Sequence, residues 1–239
     1  MSAPATRIFL IAGEASGDLL GGRLMTALRD QAPGPLEFDG IGGETMQAAG
    51  LVSRFPMGEL SLMGLAEILP HLPRLIRRIN ETEAILRATT PAVLVTIDAP
   101  AFCLRVSKRV AGAGFPRLHY VAPQHWAWRR ERARGLSAAT DRLLALLPFE
   151  PAFFADYGMP CDFVGHAVIE GGASKGDGEA FRRTHGLPAD QPLLLLLPGS
   201  RRGEVTRLLP TFLETLRRLR ADRPALAAVI ALAPGVDAL

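Results

Sequence analysis

The stretch "VLVTIDAP", Val93–Pro100, decides the fold. A short, almost wholly apolar run leads into Asp98, and two residues later Pro100 stands ready to open a helix. A strand that is apolar on both alternating faces has to be covered on both sides, which is the condition of a parallel sheet between helical layers. Working outward, comparable runs recur near 7–12, 36–41, 117–121, 141–147, 161–164, 192–197 and 226–232. Helical patterns fill 17–31, 64–88, 101–113, 128–139, 150–157, 177–185 and 202–221 between them. The alternation predicts an α/β chain with a doubly wound parallel sheet.

With 239 residues and 48% hydrophobic content, the chain can build one large or two smaller cores. Around 166–191 glycine, proline and charge replace the strand–helix rhythm. The expected division is therefore a first domain over 1–165, a connection over 166–191 carrying one short helix, and a second set of βαβ units over 192–239. Only a strand, a helix and a strand fit into that last part, so the second domain is expected to be incomplete.

The formal net charge is +3, yet Lys108 and Lys175 are the only lysines among 27 basic residues. Arginine pairs with carboxylates and phosphates through a planar fork, which makes anionic ligands worth seeking. Cys103 and Cys161 have no metal-ligand or redox spacing, and two free thiols in a reducing, cytoplasmic setting are expected. No metal site and no cofactor are expected. The start "MSAPATRIFLIAG" lacks the parts of a signal peptide and reads as a first strand. No run reaches the ~20 apolar residues that cross a bilayer, so any membrane role would be peripheral.

Several strand ends could carry chemistry. The first turn, "AGEASGDLLGG" at Ala12–Gly22, is either a tight turn capped by Ser16 or Asp18, or a cleft wall formed by Glu14, Ser16, Gly17 and Asp18. It is no dinucleotide fingerprint, since G-x-G-x-x-G is absent. Asp98 is either the cap of the next helix or a carboxylate able to take a proton from a substrate hydroxyl. "LHYVAPQHWAWRRER", Leu118–Arg132, gathers His119, Gln124, His125, Trp126, Trp128 and Arg129 at one strand end; the tryptophans could stack on a sugar or simply pack. The basic run Arg129, Arg130, Arg132 and Arg134 is interrupted by Glu131 and has no nucleic-acid-binding motif beside it, so a solvated face or a surface toward anionic lipid is expected.

In "LSLMGLAEILPHLPRLIRRI", Leu60–Ile79, the residues Leu65, Ile68, Leu69, Leu72, Leu75, Ile76 and Ile79 share one helical face. Pro70 and Pro73 predict a break or kink there. The face either packs on the sheet or, edged by Arg74, Arg77 and Arg78, meets a membrane or acyl chains. "LLLLPGSRRGEV", Leu194–Val205, reads as a buried strand followed by a helix start. There Gly199, Ser200 and Arg201 form either an ordinary turn or an anion site suited to a departing diphosphate.

Taken in order, "AGEASGD", "FPMGELSLMGLAEIL", "IDAPAF", "HYVAPQHWAWR", "LPFEPAFF", "FVGH" and "LPGSRRGEV" closely resemble the lipid-A-disaccharide synthase family. The resemblance runs from the first strand to about Val205. It implies a two-domain glycosyltransferase-B fold, with a Rossmann-like acceptor-side domain followed by the start of a UDP-sugar donor domain. It implies transfer of diacylglucosamine from UDP-2,3-diacylglucosamine to 2,3-diacylglucosamine 1-phosphate (lipid X), inverting the anomeric centre and making a β-1',6 linkage.

By the same resemblance Asp98 is the general base, and Gly199, Ser200 and Arg201 receive the donor diphosphate. Glu14, Ser16, Gly17, Asp18, Trp126, Trp128 and Arg129 line the acceptor side. Met63, Leu65, Ile68, Leu69 and Leu72 face membrane or acyl chains at the inner face of the inner membrane of a Gram-negative cell. A homodimer stays open. Gln124 and His125 depart from the small or apolar residues the family pattern leads one to expect, and His125 takes no role. The family continues beyond Leu239, so the donor pocket is expected to be unclosed. The competing expectations are another UDP-sugar enzyme of this fold, such as a UDP-N-acetylglucosamine 2-epimerase, and a non-catalytic membrane-associated fragment.

Overall fold

The structure is a computed structural model that describes residues 5–60, 65–128, 130–169, 175–199 and 202–232. The chain divides into two compact units, Met1–Gly171 and Gly172–Leu239.

The first unit alternates strands and helices: β1 (Thr6–Ala12), α1 (Ala15–Gln31), β2 (Leu36–Ile41), α2 (Glu44–Ala48), β3 (Val52–Ser53), α3 (Leu65–Thr89), β4 (Val93–Ile97), α4 (Pro100–Arg109), β5 (Arg117–Tyr120), β6 (Arg142–Ala145), α5 (Glu150–Ala155) and β7 (Cys161–Phe163). The strands form one seven-stranded sheet in the order β3-β2-β1-β4-β5-β6-β7, and every pairing is parallel. The order reverses between β1 and β4, where a crevice opens at the carboxyl ends of a doubly wound sheet.

Side-chain alternation builds the two layers. Phe9 and Ile11 of β1 and Leu94 of β4 join Leu75, Ile79 and Leu86 of α3 and Phe102, Cys103 and Val106 of α4 in one buried cluster. Ile8, Leu10, Val95 and Ile97 point the other way, into a cluster with Met25 of α1 and Met46 of α2. The apolar doubling of "VLVTI" is thus a consequence of cover on both faces. The fold predicted from the alternation is the one observed, with two short elements added. α2 and β3 are five and two residues long, too short to show a period. The stretch predicted as a helix over 128–139 forms a 3-10 helix at Arg130–Ala138.

α3 runs as one helix through Pro70 and Pro73, so of the two expectations the break is not observed. Beyond the prolines it is clamped to the core by Leu75, Ile79 and Leu86, and Arg78 ties it to Glu59 at 2.8 and 2.9 Å while pairing with Glu81 one turn along the same helix at 2.7 Å.

The second unit holds α6 (Gly178–Thr184), β8 (Leu193–Leu196), α7 (Arg202–Asp222) and β9 (Ala227–Ile230). β8 and β9 pair in parallel across α7, with Leu196, Leu216 and Leu226 as the core. Of the leucine run, Leu196 is buried, while Leu195 is 56% and Leu197 63% exposed. One helix covers one face of a two-stranded sheet.

One buried polar residue gives the first unit a pH signature. His119 of β5 is fully buried, its Nδ1 lies 2.8 Å from Thr96 Oγ1, and burial pushes its pKa down to about 4. Between about pH 6.5 and 4 the unfolded chain binds a proton at this imidazole and the native chain does not, so native stability falls as pH drops through that window. We expect urea unfolding of His119→Leu to show a pH slope flatter than wild type by up to about 1.4 kcal/mol per pH unit in that range. Identical slopes would refute the assignment.

Candidate functional site

The crevice is built from the ends of β1 and β4. After Ile97 the backbone takes two consecutive left-handed residues, Asp98 at φ 51° and Ala99 at φ 44°, before Pro100 starts α4. Each costs about 1–2 kcal/mol for a residue with a Cβ, less for aspartate, and such outliers persist only where their surroundings hold them. Three hydrogen bonds do so. Asp98 N–H donates to the Tyr120 carbonyl at 2.9 Å, and the Ala99 carbonyl accepts from Phe102 at 3.1 Å and Cys103 at 3.0 Å. Ala99 occupies the N-cap of α4, which has no side-chain cap. The half-buried Asp98 carboxyl therefore stands at the mouth of the sheet.

Across the crevice Ser16 Oγ donates to Asp98 Oδ2 at 3.4 Å. This is long for a hydroxyl hydrogen bond. Glu14 occupies the N-cap of α1 without a side-chain cap bond, so neither Ser16 nor Asp18 caps its own helix. Gly17 is buried, and a Cβ on it would come within 3.2 Å of the Ile97 carbonyl oxygen. Its part is to let α1 approach β4.

Asp18 has a different job from lining the crevice. It is 5% exposed, and its carboxylate accepts from the backbone N–H groups of Gly43 at 2.7 Å, Thr45 at 2.9 Å and Met46 at 3.1 Å. It caps α2, a neighbour whose own N-cap, Gly43, offers no side chain. This was not legible in the sequence, because α2 itself was not; the one available signal was "GGE" at 42–44, a helix start without a capping residue.

Trp126 is likewise committed. Its indole N–H donates to Glu150 Oε1 at 3.0 Å, and its ring meets Phe149 edge-on at 4.9 Å between centroids. Glu150, 3% exposed, also accepts from the Leu147 N–H at 2.9 Å. Sequence reading missed Glu150 as the post that fixes this turn, although "LPFEPAFF" contains it. Trp128 is 67% exposed. Burial, and next Arg132, lower the pKa of His125, while Glu131 opposes them. At the ends of β5–β7, "FVGH" contributes Val164 and His166 to a groove of about 410 Å³ with Leu20, Arg23 and Tyr120. Among the described residues no group of three or more His, Cys, Asp or Glu could hold a metal.

Leu72 and Ile76 are 39% and 43% exposed, whereas Leu75 and Ile79 are buried. The apolar face of α3 is thus divided between core and surface. Among the described residues no helix is long and apolar enough to cross a membrane. Met63, Arg129, Ser200 and Arg201 lie outside the described residues, as do the side chains of Leu65, Ile68 and Leu69. Gly199 is described. At φ 127°, with Glu204 Cβ 2.6 Å from where its own Cβ would stand, the turn before α7 requires glycine.

The chain matches the family model described as Lipid-A-disaccharide synthetase over residues 8–236. It is 55% identical over 231 residues to the lipid-A-disaccharide synthase of Rhodospirillum centenum, covering 96% of this chain and 58% of that protein. Against the lipid-A-disaccharide synthase of Pseudomonas aeruginosa it is 46% identical over 228 residues, covering 95% of this chain and 60% of that one. Its fold is similar to that of UDP-GlcNAc 2-epimerase from Neisseria meningitidis, solved bound to UDP-GlcNAc, with a TM-score of 0.66 at 12% identity over 96% of this chain and 67% of that chain. It is also similar to the glycotransferase of kitacinnamycin, with a TM-score of 0.60 at 16% identity over 100% of this chain and 68% of that chain. The chain spans somewhat over half the length of the curated relatives it matches.

The Asp18 assignment predicts a stability effect. Asp18→Ala leaves three backbone donors without their acceptor and should cost about 3 kcal/mol or more in urea unfolding, with Asp18→Asn intermediate. Unchanged stability would return Asp18 to the crevice wall.

Proposed function

The chain belongs to the lipid-A-disaccharide synthetase family, and from that premise we propose that it serves transfer of 2,3-diacylglucosamine from UDP to 2,3-diacylglucosamine 1-phosphate. The observation that carries the reading is the position of Asp98: a carboxylate at the topological switch point, on a backbone held in a rare conformation, facing Ser16.

In the proposed step the acceptor's 6-hydroxyl oxygen attacks the donor's anomeric carbon. The new C–O bond forms as the bond to the UDP oxygen breaks, inverting that carbon, and the hydroxyl proton passes to the Asp98 carboxylate. UDP departs with the electron pair. It needs compensation for negative charge, and the turn at Gly199 and Ser200 with Arg201 is assigned to supply it from the helix start and a guanidinium. Glu14, Ser16, Trp128 and Arg129 are assigned to the acceptor side. Residues 1–165 are read as the acceptor-side domain, 166–191 as the connection and 192–239 as the start of the donor domain.

The exposed Leu72 and Ile76, beside Arg74 and Arg77 on α3, support a peripheral position on an anionic membrane where both lipid substrates reside. The 46–55% identity to named synthases favours this reaction over epimerisation of a soluble UDP-sugar.

The test is made in the full-length gene product. Asp98→Asn should keep the unfolding midpoint and UDP-sugar affinity while turnover falls by about 10²–10⁴-fold; near-normal turnover rejects the base. Arg201→Ala should weaken UDP binding by about 10–100-fold, measured by calorimetry, and unchanged affinity removes its role.

A further inference from the structure

The glycine that follows β1, Gly13, faces the backbone that presents Asp98. Gly13 is buried, and a Cβ placed on it would stand 2.6 Å from the Cβ of Ala99. Carbon atoms in contact settle near 3.5–4.0 Å, so one methyl group here displaces the Asp98–Ala99 turn or β1 by about 1 Å. β1 has little freedom to move: it is paired on both sides, with β2 and β4, and Phe9, Leu10, Ile11 and Ala12 are fully buried. The turn is the part that yields, and it already sits in an unfavourable region at both residues.

We propose that Gly13 is a positioning residue. By its lack of a side chain it admits the Ala99 methyl group against the end of β1, and the seated methyl group locks the left-handed turn that aims the Asp98 carboxylate. Three hydrogen bonds fix the backbone on the β5 and α4 sides, through Tyr120, Phe102 and Cys103. The Gly13–Ala99 approach adds a contact on the β1 side. This role rests on the reading of Asp98 as the base, and it adds a residue that never touches substrate.

A four-member set tests it in the full-length gene product: wild type, Gly13→Ala, Ala99→Gly and the double variant. A 1 Å misplacement at a reacting centre lowers rate by about 10²-fold, so Gly13→Ala should lose about that factor in kcat with KM held within about twofold. Removing the opposing methyl group makes room again, and Gly13→Ala/Ala99→Gly should recover to within about threefold of Ala99→Gly alone. A Gly13→Ala protein with near-normal kcat, or a double variant as impaired as Gly13→Ala, overturns the proposal. If Gly13→Ala does not fold, the double variant must fold with a near-ultraviolet spectrum like that of wild type; its failure to do so overturns the proposal as well.

The two readings fail separately. If Asp98→Asn turns over normally, the base assignment falls, and the packing lock is then judged by thermal melts, where Gly13→Ala should lower the midpoint and Ala99→Gly restore it. If Asp98→Asn is inactive while Gly13→Ala is fully active, the lock falls and the base stands.

Discussion

Both faces of β1 and β4 are sealed by apolar layers, and this double burial governs the rest of the first unit. From Ile8 of β1 and Leu94 of β4 onward a side chain has no water to meet above or below the sheet, so polar groups there must pair internally or collect at the ends. Thr96 pairs internally, with His119 at 2.8 Å. Asp98 stands just past the end. Because the strand order reverses between these two strands, the helices that follow them, α1 and α4, leave on opposite faces. The gap between their starts is where a ligand can reach the carboxylate.

The polar residues around that gap divide by whether the backbone already claims them. Asp18, Glu150 and Arg78 all carry charge close to crevice or surface, and all three are bound to partners within the fold. Each lies in a setting where an unpaired charge would be costly, and each joins segments distant in the chain. Asp18 fastens α2 to α1, Glu150 fastens Trp126 to α5, and Arg78 fastens α3 to Glu59 while lying 4.3 Å over the ring of Phe55.

The layered sheet was legible because its evidence is local. A strand buried twice is apolar at every position, and "VLVTI" and "IFLIA" carry that mark without reference to any other segment. Asp98 was legible for the same reason, as the first charged residue past such a strand. α2 shows the limit of this reasoning: five residues are too few to carry a period, and the carboxylate that caps it, Asp18, lies 25 to 28 residues away in the chain.

The sequence by itself determined the alternating α/β plan, the carboxylate at the mouth of the sheet and the family to which the chain belongs, since period, composition and ordered motifs are properties of single segments. Only the tertiary structure decided which of the charged and aromatic residues near that mouth are committed elsewhere. The donors that claim Asp18 come from 25 to 28 residues away, and Glu150 takes the indole of Trp126 from a distance of 24. The contact at Gly13 joins two strand ends that chain order separates and sheet order makes adjacent. Such pairings depend on which strands become neighbours, and no single stretch of sequence contains that information.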